Sequence, residues 1–333
     1  MTSPDPPDRS RPDRPILIVG LPRSGTTWTM RALSSGAGTV ALGEPDNEDK
    51  YPASIHGKRK VGRYPVLGPG DDAPRYRKLW EWIFAGAPET GRAQLARHLL
   101  GPGSMSRIHE GRSDPVTWMA GALSPSPRRL PAPSAGGRLV VKSIHAQLAA
   151  EWLAASFDVE VLVLLRHPAN VLASWLEVNL KDARNSTLET RPEIRRRYLE
   201  PWSIPLPGPD PIERVSWRIG LLVAVLESSL ARNPGWHVRR HEQLCTEPVR
   251  EFEQLFAELG LEWGDSSATF LDEHNTPGSG FVIKRVASEL SDSWQHRLSP
   301  EHLATLRRVL AWFPITSWSD SDFDPGEVGP RRS

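Results

Sequence analysis

Ile16 to Val19 is an unbroken aliphatic run that stops at Gly20, the pattern of a parallel strand buried on both faces. Similar runs at Arg138 to Lys142 and Val159 to Leu165 predict two more buried strands, and Thr39 to Leu42 and Trp236 to Arg240 predict two shorter ones. Between them the apolar positions repeat at helical spacing. The predicted helices are Thr26 to about Ser35, Arg75 to Phe84, about Glu89 to Leu100, Ala146 to Ser156, Ile212 to Arg232, Pro248 to Leu259 and Pro300 to Trp312. Strand, helix, strand of these lengths implies right-handed parallel crossovers. The expected fold is therefore α/β, a three-layer parallel β-sheet flanked by helices.

Proline and glycine punctuate this pattern unevenly. The chain has 32 prolines and 26 glycines, and their clusters mark long loop insertions at about 45–75, 101–137 and 180–211 within a single domain at 15–318. Residues 1–14, rich in proline and charge, read as a disordered tail, and 319–333 as a flexible one. The first insertion carries Lys58, Arg59, Lys60 and Arg63 without periodicity and is expected to be an active-site lid, an acceptor-binding segment or a solvated insertion. Arg195, Arg196 and Arg197 read as a solvated helix face, and Trp80 and Trp82 as core side chains or as a lining for an apolar acceptor.

Composition narrows the class. With 41 basic and 40 acidic residues the net charge is +1, so no bulk field points to nucleic acid or an anionic membrane. The one cysteine, Cys245, leaves no internal disulfide and suits a reducing compartment. Residues 1–15 lack an apolar signal core, and the longest apolar run, Leu221 to Leu226, is too short to span a bilayer. A soluble cytoplasmic protein is expected. His237 and His241 stand four apart without the companions of a zinc site.

The chemistry-bearing stretch follows the first strand. Gly20, four residues, Gly25 and then Thr26-Thr27 fit G-x-x-x-x-G-K-[ST] except at the lysine, which is Thr26; the positive charge sits instead at Arg23. Such a strand, loop and helix aims backbone N–H groups and the positive helix end at one anion. A nucleoside triphosphatase needs the missing lysine and a Mg²⁺ ligand, so an anionic donor handled without a metal is favoured. Arg23, Ser24, Gly25, Thr26, Thr27 and Trp28 resemble the 5′-phosphosulfate loop of sulfotransferases that use 3′-phosphoadenosine 5′-phosphosulfate (PAPS), on a P-loop-type sheet.

That resemblance extends to other residues. Arg166 leaves the third buried strand and Ser174 follows it by eight residues on a predicted helix, a spacing similar to the family's 3′-phosphate site. Ser279, Lys284 and Arg285 are similar to the segment that closes over the donor in the protein-tyrosine branch, and Trp28 to the ring that stacks on adenine in cytosolic members. Two residues compete for the role of base. Glu44 resembles the catalytic glutamate of protein-tyrosine and several bacterial sulfotransferases. His145 resembles the Lys-x-His histidine of cytosolic ones, but follows Lys142 by three residues instead of two. In this resemblance Lys142 takes the position that stabilises the bridging oxygen during transfer. The resemblance implies a PAPS-dependent transfer to a hydroxyl of a small molecule or natural product, with no metal. A P-loop kinase and a non-catalytic nucleotide-binding protein are the alternatives. Acceptor and oligomeric state are not encoded in any residue pattern here.

Overall fold

The structure, a computed structural model, describes residues 14–48, 50–51, 53–85, 137–178, 188–274 and 293–324. Its centre is strand β1, Ile16–Gly20. β2 (Thr39–Gly43), β3 (Arg138–Ser143), β4 (Glu160–Leu165) and β5 (His237–Arg240) join it in the order β2-β3-β1-β4-β5, every neighbouring pair parallel. This is the expected α/β fold.

The unbroken apolar run of β1 has a simple cause. Successive side chains point to opposite faces, and both faces are covered. Leu17 and Val19 pack with Val141, Val163, Trp80, Trp152 and Trp217 on one side. Ile16 and Ile18 pack with Met30, Leu33, Leu162, Phe252 and Phe256 on the other. Helices α1 (Thr26–Leu33), α2 (Ala53–Lys58), α3 (Pro74–Phe84), α4 (Ala150–Ser156), α5 (Pro168–Glu177) and α6 (Pro211–Arg232) are followed by α7 (His241–Thr246), α8 (Pro248–Glu258), α9 (Asp265–His274) and α10 (Pro300–Leu310). α6 begins with Pro211 at its first position, and the side chain of Asp210 accepts from Ile212 N at 3.1 Å, an ordinary N-cap.

The structure corrects the sequence in four places. The first insertion is not loop throughout: it contains α2, whose Ser54, Ile55 and Lys58 are buried. Gly57 is there for packing, since a Cβ would lie 2.8 Å from Leu79. In the insertion expected at about 180–211, helix extends beyond the face read at Arg195 to Arg197 and covers 192–202, with a π-helical turn at Arg195–Leu199. The chain does not run free after Trp318: a 3₁₀ turn at Asp320–Phe323 buries Phe323 against His167. The fourth place is α7 and α9, short, mostly polar helices that the sequence pattern does not predict.

Other expectations hold. Arg195, Arg196 and Arg197 are exposed, and Trp80 and Trp82 belong to the core. The predicted helix at Glu89 to Leu100 lies outside the described residues. Among the described residues no helix is long and apolar enough to cross a membrane.

Candidate active site at the carboxyl edge of the sheet

Because all five strands run the same way, their carboxyl ends share one edge, where open α/β sheets hold ligands. The register sets the tips side by side: Gly43 opposite Lys142, Val19 opposite Ser143, Gly20 opposite Leu164 and Leu165 opposite Arg240. Just beyond these tips stand Glu44, His145, Arg23, Arg166 and His241.

The loop after β1 is braced from within and from its neighbours. Ser24 donates its hydroxyl to the Leu21 carbonyl at 2.7 Å, Gln147 Nε2 to the Gly20 carbonyl at 2.6 Å, and Trp175 Nε1 to the Pro22 carbonyl at 2.8 Å. Arg23 and Gly25 take left-handed backbone, φ 72° and 81°. Gly25 caps α1 without any side-chain hydrogen bond, which leaves the first turn's N–H groups and the positive helix end pointing to the edge. A Cβ on Gly25 would come within 2.4 Å of His241 Nδ1, so only glycine lets the β5 tip close against this loop.

Two arginines meet there. Arg23 donates Nε to Ser174 Oγ at 2.9 Å, and Arg166 donates to the Arg23 carbonyl. The resemblance placed Arg166 and Ser174 on one phosphate; the structure brings all three residues into a single cluster. Burial lowers the Arg166 guanidinium to about 10, and Glu242, 4.0 Å from its Nε, only partly opposes that. Glu242 is itself shared, accepting from His167 N at 3.0 Å and Asn170 Nδ2 at 3.1 Å. His241 is held well below its ordinary value by burial and then by Arg166 and Arg23, which keeps it neutral. The cluster thus carries more positive than negative charge in a buried place, next to an uncapped helix end. Such a place is stabilised by an anion.

The other half of the edge is built from ion pairs. Glu44, in left-handed backbone at φ 56°, donates its N–H to the Lys142 carbonyl at 2.6 Å. Its carboxylate is paired with the Lys142 ammonium, lies 2.8 Å from Lys50 Nζ, and accepts from Asn47 Nδ2 at 2.9 Å. Burial alone would raise the pKa of Glu44, but Lys142 and Lys50 outweigh it and hold the carboxyl far below the usual range. For Lys142 the balance is reversed: burial lowers it more than Glu44 raises it. His145 lies behind this pair, 1% exposed, and burial followed by the Lys58 charge keeps it well below its ordinary value.

Thr26 is buried and Thr27 half-buried on the first turn of α1. Trp28 sits edge-on to Phe252 at 5.0 Å and to His241 at 6.1 Å. Ser279, Lys284 and Arg285 lie outside the described residues. His237 pairs with Glu160 at 2.8 Å, away from His241, and among the described residues no group of three or more His, Cys, Asp or Glu side chains is placed to hold a metal. Sequence reasoning missed His241 and Glu242 as part of the site. Their only signal was position, immediately after a predicted strand. It also missed Asp46 and Glu48, which alternate with Glu44 in a proline-rich stretch, and it named Lys58 only as part of the first insertion.

No protein-family model matches the chain, and no curated protein matches it by sequence. Among solved structures, the chain is similar to sulfotransferases. The sulfotransferase domain from the curacin biosynthetic pathway is 16% identical, with 92% of this chain and 100% of that one covered at a TM-score of 0.46. A sulfotransferase from Mycobacterium avium is 13% identical over 92% of this chain and 78% of its own, at 0.42. A mouse sulfotransferase complexed with PAP is 12% identical over 90% and 83%, at 0.39. With likenesses of this size, the functional reading rests on the residues of the site.

Proposed function

We propose that this chain is a PAPS-dependent sulfotransferase that transfers a sulfuryl group to a hydroxyl of a small molecule or natural product, with Glu44 as general base. One observation supports the reading above the rest. Arg23 and Arg166 are held together at the uncapped start of α1, while a carboxylate and an ammonium, Glu44 and Lys142, occupy the neighbouring strand tips. The first cluster suits a bisphosphate with its sulfate, and the second suits the proton and the charge that move in the transfer.

In the reaction the acceptor oxygen attacks sulfur, its proton passes to Glu44, and the bond from sulfur to the 5′-phosphate oxygen breaks. Lys142, Arg23 and the α1 N–H groups stabilise the charge that grows on the departing adenosine 3′,5′-bisphosphate. The Glu44–Lys142 pair couples these events. A carboxylate held so low is a weak base while Lys142 faces it. Once Lys142 turns to the leaving oxygen, burial is no longer opposed by its nearest cation, and the basicity of Glu44 rises. On this reading the enzyme is cytoplasmic and needs no metal, and its single thiol, Cys245, is buried and pushed up to about 12.

Calorimetric titration with adenosine 3′,5′-bisphosphate and with ATP plus Mg²⁺ tests the donor, and a panel of phenols, alcohols and amines with PAPS tests transfer. Binding of the bisphosphate but not of Mg-ATP, with transfer to at least one hydroxyl, is expected. Glu44→Gln is expected to lower turnover about 10²- to 10⁴-fold with bisphosphate affinity near that of wild type. Binding of Mg-ATP alone would turn the reading to a kinase. Bisphosphate binding without any transfer would turn it to a non-catalytic nucleotide-binding protein.

A further inference from the structure

Behind Glu44 lies a second buried pair that the transfer reaction as described does not use. Lys58, at the end of α2, is fully buried. Its ammonium can only donate; it has two hydrogen-bond partners, the Asp46 carbonyl at 2.8 Å and His145 Nδ1 at 3.2 Å, and an ion-pair partner, Glu48 Oε1, at 3.0 Å. The contact with His145 therefore requires Nδ1 to be the accepting nitrogen. The competing arrangement, an Nδ1–H donating to Glu48 Oε2, spans 3.6 Å, beyond hydrogen-bond range.

We propose that Lys58 is a positioning residue of the transfer: by donating to His145 Nδ1 it holds His145 as a neutral imidazole with its proton on Nε2, a hydrogen-bond donor and not a base. Nε2 makes no hydrogen bond among the described residues, so its N–H is offered to an oxygen of the acceptor or of the sulfuryl group. The assignment rests on the sulfotransferase reading for its role in turnover, but not for the tautomer. It also separates the two candidate bases. The histidine has no lone pair left to take a proton, and the carboxylate of Glu44 does.

The surroundings hold this arrangement in place. Ser143 donates to Asp46 Oδ1 at 2.6 Å and accepts from His145 N at 3.1 Å, which ties the β3 tip to the segment carrying Asp46 and Glu48. Tyr64 lies edge-on to the imidazole at 5.0 Å. The charged and titratable groups facing His145 are Lys58 from α2, Glu44, Asp46 and Glu48 from the segment after β2, Arg63 and Tyr64 from the segment after α2, and Lys142 reaching Glu44 from β3. Burial is the first cause that keeps the ring neutral and the Lys58 charge the second, with Arg63 adding to them, while Glu48 and then Glu44 favour an imidazolium.

The ¹⁵N spectrum of the histidine side chains, with His145 assigned through its loss in His145→Gln, tests the tautomer without any need for turnover. In the wild type a neutral Nε2–H imidazole that does not titrate in the ordinary imidazole range is expected; an Nδ1–H tautomer or a ring that titrates there overturns the proposal. In Lys58→Met, where Glu48 stays beside Nδ1, the ring is expected to leave the Nε2–H form, its proton moving to Nδ1 to face Glu48, and turnover to fall with it; a neutral Nε2–H ring that persists there overturns the assignment. Should that variant not fold, Lys58→Met with Glu48→Gln removes the stranded charge, and an Nε2–H tautomer that persists in it argues against Lys58.

His145→Gln keeps an N–H near the Nε2 position. It is expected to retain turnover within about tenfold of wild type, while His145→Ala loses about tenfold to a hundredfold more. Equal loss in both would mean a base and overturn the assignment. A wild-type spectrum as expected in a protein with no transfer activity would leave the tautomer standing and remove the sulfotransferase reading instead.

Discussion

The two halves of the strand edge solve the problem of buried charge in opposite ways. Around Arg23 and Arg166, cations gather with Glu242 as the nearest carboxylate, and that carboxylate already serves His167 and Asn170. Around Glu44, three carboxylates alternate along the chain and each meets a cation or a donor: Glu44 meets Lys142 and Lys50, Asp46 meets Ser143, and Glu48 meets Lys58 and Arg63. A buried charge left unpaired is expensive, and a paired one is tolerated. On the proposed reading the first half is completed by an anionic ligand, whereas the second is paired without one and changes only when a lysine moves.

The largest expected effect breaks the self-paired half. Lys142→Met should lower turnover about 10²- to 10³-fold, equivalent to about 2.7–4 kcal/mol of barrier, with bisphosphate affinity little changed. Steady-state kinetics beside calorimetry separates the two quantities, and equal losses in both would place Lys142 in the donor site. Next is the ligand-completed half. Arg166→Ala should weaken bisphosphate binding by about 1.5–3 kcal/mol, roughly tenfold to a hundredfold in Kd. Arg166→Lys should recover only part of that, because a point charge cannot bond two oxygens in one plane.

The smallest effect concerns pH and stability. His145 and His241 are both held neutral by burial. In the unfolded chain each protonates below about pH 6.5. The stability contributed by neutral burial is therefore full above that pH and declines as pH falls below it, by up to about 1.4 kcal/mol per histidine for each pH unit. Urea unfolding at pH 7, 6 and 5 should show this slope. Saturating bisphosphate should weaken the part due to His241, whose neighbouring arginines it neutralises, and leave the part due to His145. A slope indifferent to the ligand would mean that the two halves do not differ as described.

The sequence made one half far more legible than the other. An aliphatic run ending in Gly20, a glycine-rich turn and an arginine at a strand end are local signals, and β1, α1 and Arg166 stand where those signals put them. Glu44 and Lys142 could be named singly, but their pairing needed the register that sets Gly43 opposite Lys142. Lys58 stood with Arg59, Lys60 and Arg63 in a segment that read equally as a lid, an acceptor-binding segment or a solvated insertion, because nothing local shows that Gly57 lets α2 press against Leu79 and so buries its neighbour beside Glu48. His241 was hidden for a related reason. Its place in the site depends on the missing side chain of Gly25, 216 positions away by subtraction of the two residue numbers.

Arg23 and Glu44 have one more property in common. Both hold backbone angles that an L-residue adopts at a cost of about 1–2 kcal/mol and that glycine adopts freely. A library randomised at positions 23 and 44 and screened for heat tolerance alone should therefore enrich glycine at 23, where one of two crowded cations goes, but not at 44, where Lys142 would be stranded, and yield a hardier protein that has forgotten how to hold its donor.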